Sequence, residues 1–233
     1  MLSDTTSQSQ LTQQLVIRTP GSLQGRLPAF LAAAFLVSIP VFIQAPLVRL
    51  QPWISLALSL VWLFSGLYML RDRRLALWGD IAVGFTWTWL AGSIYWGWFR
   101  AEPLIHLPVE ALGLPFVAVL LFYPRFRTGS FFYLGSLLGT ALTDAYFYWV
   151  DLIPYWREVM TVDPDLAGGV LHAALLQIEN PVAMVRAMLL LGLLIILGTL
   201  PMASSRTCWW AFSGAVLSTI LVDALFLLAA VLA

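Results

Sequence analysis

Glu110, Asp144 and Asp223 each interrupt a long apolar run, and His106 precedes Glu110 by one helical turn. Arg186 stands inside a further apolar stretch. Carboxylates and an imidazole in such surroundings can hold and pass protons, or offer oxygen and nitrogen to a cation. An aspartate at the centre of a membrane helix costs about 2.5–3.5 kcal/mol on insertion scales. Such a group faces the bundle interior, finds a partner or takes up a proton.

Two of these acids recur in matched surroundings. GSLLGTALTDAYF (135–147) aligns without a gap on GAVLSTILVDALF (214–226), with Gly, Leu, Thr, Leu, Asp, Ala and Phe coincident. Gly135 with Gly139, and Gly214 with Ser218, give each stretch a small face suited to close helix contact. Asp144 and Asp223 fall about half a revolution from the leading glycine, with Thr140 and Thr219 one turn before them. Each helix is therefore expected to pack by its small face and to present a Thr/Asp pair by the other. Asp144, Asp223, Glu110, His106 and Arg186, with Thr140 and Thr219, form one expected polar pocket. The alternative is a structural network in which Arg186 bridges the acids. Asp80 falls near the opposite end of its span and is expected to pair with the Arg71–Arg74 cluster.

The rest of the chain sets what positions these groups. Of 233 residues, 61% are hydrophobic and 10% charged, and the mean hydropathy is +0.87. Soluble domains are about 45–50% apolar and about 25% charged, so the class is integral membrane. The fold class is an all-α polytopic transmembrane helical bundle. About 20 apolar residues cross the hydrocarbon core as a helix, and that length gives seven spans at 27–45, 52–70, 78–99, 103–123, 128–150, 181–203 and 208–232. Pro40 should kink the first, and Pro46 and Pro52 bracket a very short turn. Residues 1–26 read as a flexible polar tail rather than a secretory signal, and 27–233 as the transmembrane domain. The 151–180 loop is acidic, and its apolar residues from Leu166 to Ile178 recur at helical spacing. It should form an amphipathic helix on the membrane surface or over the bundle.

All 12 basic residues are arginine, and eight of them (18, 26, 71, 73, 74, 125, 127 and 206) fall on one side of the seven spans. The positive-inside rule makes that side, and the N-terminus, cytoplasmic, with the C-terminus opposite. The five grouped polar residues then share the outer half of the bundle.

Several chemistries are excluded. The 12 arginines balance 12 acids, so no basic field points to nucleic acid. Cys208 is the single cysteine, which rules out an internal disulfide and a multi-cysteine metal cluster. No phosphate loop, His-Glu-x-x-His or nucleophile elbow occurs. His106, Glu110, Asp144 and Asp223 could ligate a metal, but nothing in their spacing demands one; no cofactor is assigned. Interfacial belts account for most of the aromatic residues. Trp87 and Trp89 lie deeper and are the candidates for stacking on a ligand.

QAPLVR (44–49), WTWLAGSIYWGW (87–98), EPLIHLPVEALGLPF (102–116), FYLGSLLGTALTDAYFYWVDLIPYWR (132–157) and WWAFSGAVLSTILVDALF (209–226) resemble a cyanobacterial family of multi-pass membrane proteins of unknown function. The resemblance covers spans two to seven. It implies a thylakoid or plasma membrane of a cyanobacterium, and no activity. LPVEALGLPF (107–116) is also similar, much more weakly, to the Pro-x-Glu segment of seven-span carotenoid cyclases and to segments of carotenoid hydratases. Those cyclases carry a second acid where Ala111 stands.

Three functions follow as expectations. The first is a photosynthetic membrane protein that acts in assembly or binds an isoprenoid or pigment, with the lipid bilayer and photosynthetic complex subunits as partners. The second is a membrane enzyme in which a carboxylic acid protonates an isoprenoid alkene. The third is a proton-coupled transporter, for which seven spans with an incomplete parallel repeat is an awkward count.

Overall fold

The computed structural model describes residues 23–232; of the polar tail expected over 1–26, residues 1–22 therefore lie outside the described residues. Among the described residues there is no strand. The first helix, α1 (Leu23–Leu50), runs on through Pro40 and Pro46. The turn expected between Pro46 and Pro52 is a single residue, Gln51, whose N–H bonds Leu47 O at 2.7 Å. Proline is tolerated inside membrane helices because neighbouring groups satisfy the freed carbonyl. Pro52 opens α2 (Pro52–Met69), where its missing N–H costs nothing.

After a short turn, α3 (Ala76–Ile94) continues into a π-helical turn over Tyr95–Phe99. The 103–123 stretch is a chain of short pieces: a 3₁₀ turn Pro103–Ile105, α4 (His106–Glu110), a 3₁₀ turn Ala111–Gly113 and α5 (Leu114–Leu120). Pro103, Pro108 and Pro115 remove donors from the ladder, which breaks it. Then come α6 (Arg127–Trp149), α7 (Ile153–Val159), α8 (Pro164–Ile178), α9 (Pro181–Thr199) and α10 (Thr207–Leu232). Asn180 caps α9, its Oδ1 accepting from Val182 N at 2.9 Å. The amphipathic segment of the 151–180 loop is α8, which lies against α7 and α10 with Val170 buried.

Five segments among the described residues are long and apolar enough to cross a membrane: Gly25–Leu50, Pro52–Met69, Pro103–Leu120, Pro181–Ala203 and Thr207–Leu232. The two remaining expected spans, α3 and α6, fall short of that apolarity for a structural reason. They stand inside the bundle and carry the small and polar residues that interior contacts need. One core cluster joins Ala29 and Ala33 of α1, Ile81, Phe85 and Trp89 of α3, Phe132 of α6, and Ala211 and Ala215 of α10. These four helices run parallel and touch through glycines. A Cβ on Gly84 would strike the carbonyl of Gly129, one on Gly135 would come 2.6 Å from Phe212 O, and one on Gly214 would strike Phe30 O. The sequence echo is thus a repeated packing step, α6 onto α10 and α10 onto α1. The other long segments lie outside this core, with α2 antiparallel to α3 across Gly66 and Gly79.

Contacts sort the helix ends into two groups. At one end Arg26 donates to Ser204 O at 2.9 Å, Arg125 donates to Leu70 O, and Phe131 meets Trp209 edge-on at 4.6 Å. Asp80 belongs here too, and its partner is not the expected arginine cluster. Its two oxygens accept from Thr128 N and Gly129 N, both at 2.8 Å, and cap the start of α6. At the other end Trp53 meets Trp98, Tyr148 donates to Pro103 O at 3.1 Å, and Phe42 meets Phe226.

Candidate functional site

The break at Pro103–Ile105 opens α4 on His106, and the i,i+4 relation puts Glu110 on the same side of that short helix. Across from them Asp144 comes from the last third of α6. His106 Nδ1 lies 3.0 Å from Asp144 Oδ1, and His106 Nε2 lies 3.8 Å from Glu110 Oε1. The imidazole therefore stands between two carboxylates, with side chains 22% exposed for His106 and 12% for each acid.

The surroundings hold these groups in place. Tyr95, in the π turn, packs on the imidazole with ring centroids 4.2 Å apart. Beyond α4, Leu114 N turns back to Ala111 O, and the Glu110 carbonyl accepts from Tyr133 Oη at 2.7 Å instead. One oxygen is left over. Asp144 Oδ2 is buried and has no hydrogen-bond partner among the described residues. A buried, unbonded carboxylate oxygen carries a desolvation cost, and it is the natural place for a proton or a donor to sit.

The other expected residues go elsewhere. Asp223 accepts from Thr143 Oγ1 at 2.9 Å, so its partner is Thr143 of α6 and not Thr219 of its own helix. It lies within electrostatic reach of Asp144, at the edge of the cluster. Thr219 occupies the packing face, with Oγ1 against the Cα of Gly139 where a Cβ would go, and bonds Ala215 O at 3.4 Å. Thr140 is half-buried one turn before Asp144. Arg186 does not bridge the acids. It donates to Trp149 O and its guanidinium lies 5.2 Å over the Trp149 ring, at the outer end of α6. A long cationic side chain one turn into α9 reaches the interface more cheaply than the bundle centre.

Trp89 is a core residue: it is 5% exposed, donates to Ser55 O at 2.9 Å and packs edge-on with Phe85. Trp87 stacks flat on Phe116 at 4.5 Å, and its Cβ touches the backbone of Gly113. That places an aromatic pair, open through the exposed Phe116, just beyond the 3₁₀ turn that follows Glu110. Trp87 Nε1 is buried without a partner among the described residues. No group of three or more His, Cys, Asp or Glu side chains among the described residues is arranged to hold a metal ion.

Sequence reasoning missed Tyr95, Tyr133 and Thr143. It also missed a buried network in which Gln44 Nε2 donates to Trp89 O at 2.7 Å and to Ser93 Oγ at 3.0 Å, while Ser55 and Ser93 hydroxyls meet at 2.8 Å. Gln44 is a polar residue in an apolar run, which was a usable signal. The tyrosines carried none, because belt residues and site residues look alike in a sequence.

Residues 33–231 match a family described as Protein of unknown function (DUF3120). No curated protein and no solved structure matches the chain. The likeness to carotenoid cyclases and hydratases therefore stands on LPVEALGLPF alone.

Proposed function

We propose that the chain, which belongs to this family of unknown function by a match over most of its length, is a seven-span membrane protein that binds a lipophilic molecule beside a proton-holding acid. The N-terminus is placed on the arginine-rich, cytoplasmic side and the C-terminus opposite. The alternation of helix ends supports seven crossings, with α3 and α6 counted as interior spans. The ligand class is an isoprenoid or pigment, and the setting is a photosynthetic membrane, as the cyanobacterial resemblance implies.

The observation that carries this reading is His106 between Asp144 and Glu110, at 3.0 Å and 3.8 Å. An imidazole so placed accepts a proton from one acid and returns it to the other, and either acid can present it to a bound molecule. The stacked Trp87–Phe116 pair supports a lipophilic ligand, because it joins the bilayer-facing surface to the turn after Glu110. Irregular backbone at membrane depth is tolerated where it is buried in protein or lines a cavity, and Ala111–Gly113 is an irregular stretch of this kind of backbone beside Glu110.

A photoactivatable isoprenoid added to native membranes tests this. Crosslinks concentrated on Trp87 and residues 111–116, and lost in Glu110→Gln, are the expected result. Labelling spread evenly over α2, α9 and α10 would overturn it, and photosynthetic subunits that stay bound through that substitution would make the chain an assembly partner.

A further inference from the structure

In a bilayer every outward apolar residue meets lipid, so a specific lipid site needs a shaped recess with charge at its mouth. The start of α1 supplies the recess. Pro28, Leu31, Ala32, Phe35 and Leu36 follow the spacing of one helix face, and with Trp78 of α3 they line an open groove of about 500 Å³. Ala32 and Leu36 pack on the core and form its floor. Leu31 and Phe35 on one rim, and Trp78 on the other, are exposed. From Pro28 to Leu36 the helix advances about 12 Å, so the groove runs well into the hydrocarbon layer.

The mouth of the groove lies at the arginine-rich end. Arg71, Arg73 and Arg74 are exposed on the turn that leads into α3. Arg74 precedes Trp78 by four residues, and the helical ladder reaches back toward it, with Gly79 N bonded to Leu75 O at 2.9 Å. Arg26 and Arg125 are spent differently: they donate to the carbonyls of Ser204 and Leu70, and Arg26 lies over the Trp210 ring. Asp72 uses Oδ1 to accept from Arg74 N at 2.8 Å, and both Asp80 oxygens accept from α6 amides. Among the described residues no acid forms an ion pair with Arg71, Arg73 or Arg74.

We propose that this groove binds an anionic phospholipid, with one acyl chain over Ala32 between α1 and α3 and the phosphate on Arg71, Arg73 and Arg74. Charge complementarity selects the occupant. Guanidinium groups pair with phosphate oxygens in a bidentate fork, and three cations beside one partly used acid leave net positive charge at the mouth. A zwitterionic headgroup brings its own cation and answers that charge poorly, and an apolar protein segment does not answer it. Trp78 at the rim fits the headgroup level, where indole rings collect. The site stands at the opposite end of the bundle from His106 and does not depend on the acid–base reading.

Native mass spectrometry of the full chain in detergent, titrated with phosphatidylglycerol or with phosphatidylcholine of the same acyl chains, reads this out. Phosphatidylglycerol should be retained at a concentration about tenfold or more below that needed for phosphatidylcholine. Combining Arg71→Gln, Arg73→Gln and Arg74→Gln should bring the two lipids within about twofold of each other. Arg157→Gln, at the opposite end, should leave the preference as it was. Ala32→Leu fills the floor and should weaken phosphatidylglycerol about tenfold. No preference in the wild type, or one that survives the triple substitution, overturns the site. A preference lost with the arginines but untouched in folded Ala32→Leu overturns the groove, as does displacement of the lipid by inorganic phosphate. If Ala32→Leu fails gel filtration, Trp78→Ala at the exposed rim takes its place, with the same loss expected.

Discussion

Asp80 and Asp144 are both buried aspartates, 5% and 9% exposed, in parallel helices of the same core, yet they are bonded in opposite ways. Asp80 spends both oxygens on the Thr128 and Gly129 amides and closes the N-terminus of α6. Asp144 spends one oxygen on an imidazole and leaves the other with no partner among the described residues. A carboxylate with both oxygens bonded to main-chain amides is a structural cap. One with an open oxygen beside a titratable ring is equipped for proton transfer. The difference follows from the backbone around each. The glycine-lined end lets helices approach until main-chain donors reach Asp80, whereas the proline-broken α4 near Asp144 presents side chains.

The sharpest way to break this contrast is at the glycine contact itself. Gly84→Val forces a side chain into the Gly129 carbonyl and should cost about 3 kcal/mol or more. Loss of a monodisperse peak in detergent is the expected outcome, and a normal peak would mean that α3 and α6 do not touch there. Asp80→Asn is next. It turns one acceptor into a donor facing an amide, with an expected cost of about 2–4 kcal/mol and a clear fall in the detergent melting temperature. Asp144→Asn, at almost equal burial, should cost less than about 1.5 kcal/mol, because Asn Oδ1 can still accept from His106. Equal losses at the two positions would erase the distinction.

A double-mutant cycle sharpens it further. His106→Ala with Asp144→Ala should show a coupling of about 1–2 kcal/mol, against less than about 0.5 kcal/mol for His106→Ala with Asp80→Ala. The smallest effect concerns the end of α6. Asp151 holds φ at 59°, and Leu152 N reaches back to Phe147 O at 2.9 Å in a left-handed helix stop that favours glycine. Asp151→Gly should therefore raise stability by about 0.5–1 kcal/mol, read as a modest rise in melting temperature.

Apolarity and length made the lipid-facing segments legible, since burial against lipid asks only for an unbroken apolar run. They described α3 and α6 less well, because interior helices trade apolarity for glycine, serine and threonine contacts. His106 and Glu110 could be paired from their spacing, which is local. Asp144 joined them only through matched depth, an argument that also recruited Arg186 and failed there. Depth along the chain says nothing about rotation, and Arg186 turns outward to Trp149. The Thr219 expectation failed for a related reason. The small face and the Thr/Asp face of a helix merge when the next helix is as close as Gly139 allows. Tyr95 was invisible because its ring contact with His106 depends on a π turn that no residue pattern announces.

The most direct measurement is purification from the native membrane in mild detergent, with absorbance and mass spectrometry of everything that stays bound. The expected result is a stoichiometric isoprenoid or pigment that is lost from a folded Glu110→Gln variant and retained in a folded Asp151→Gly variant. Wild-type protein free of any such molecule, or one held equally well after Glu110→Gln, would contradict a ligand site built on Asp144, His106 and Glu110.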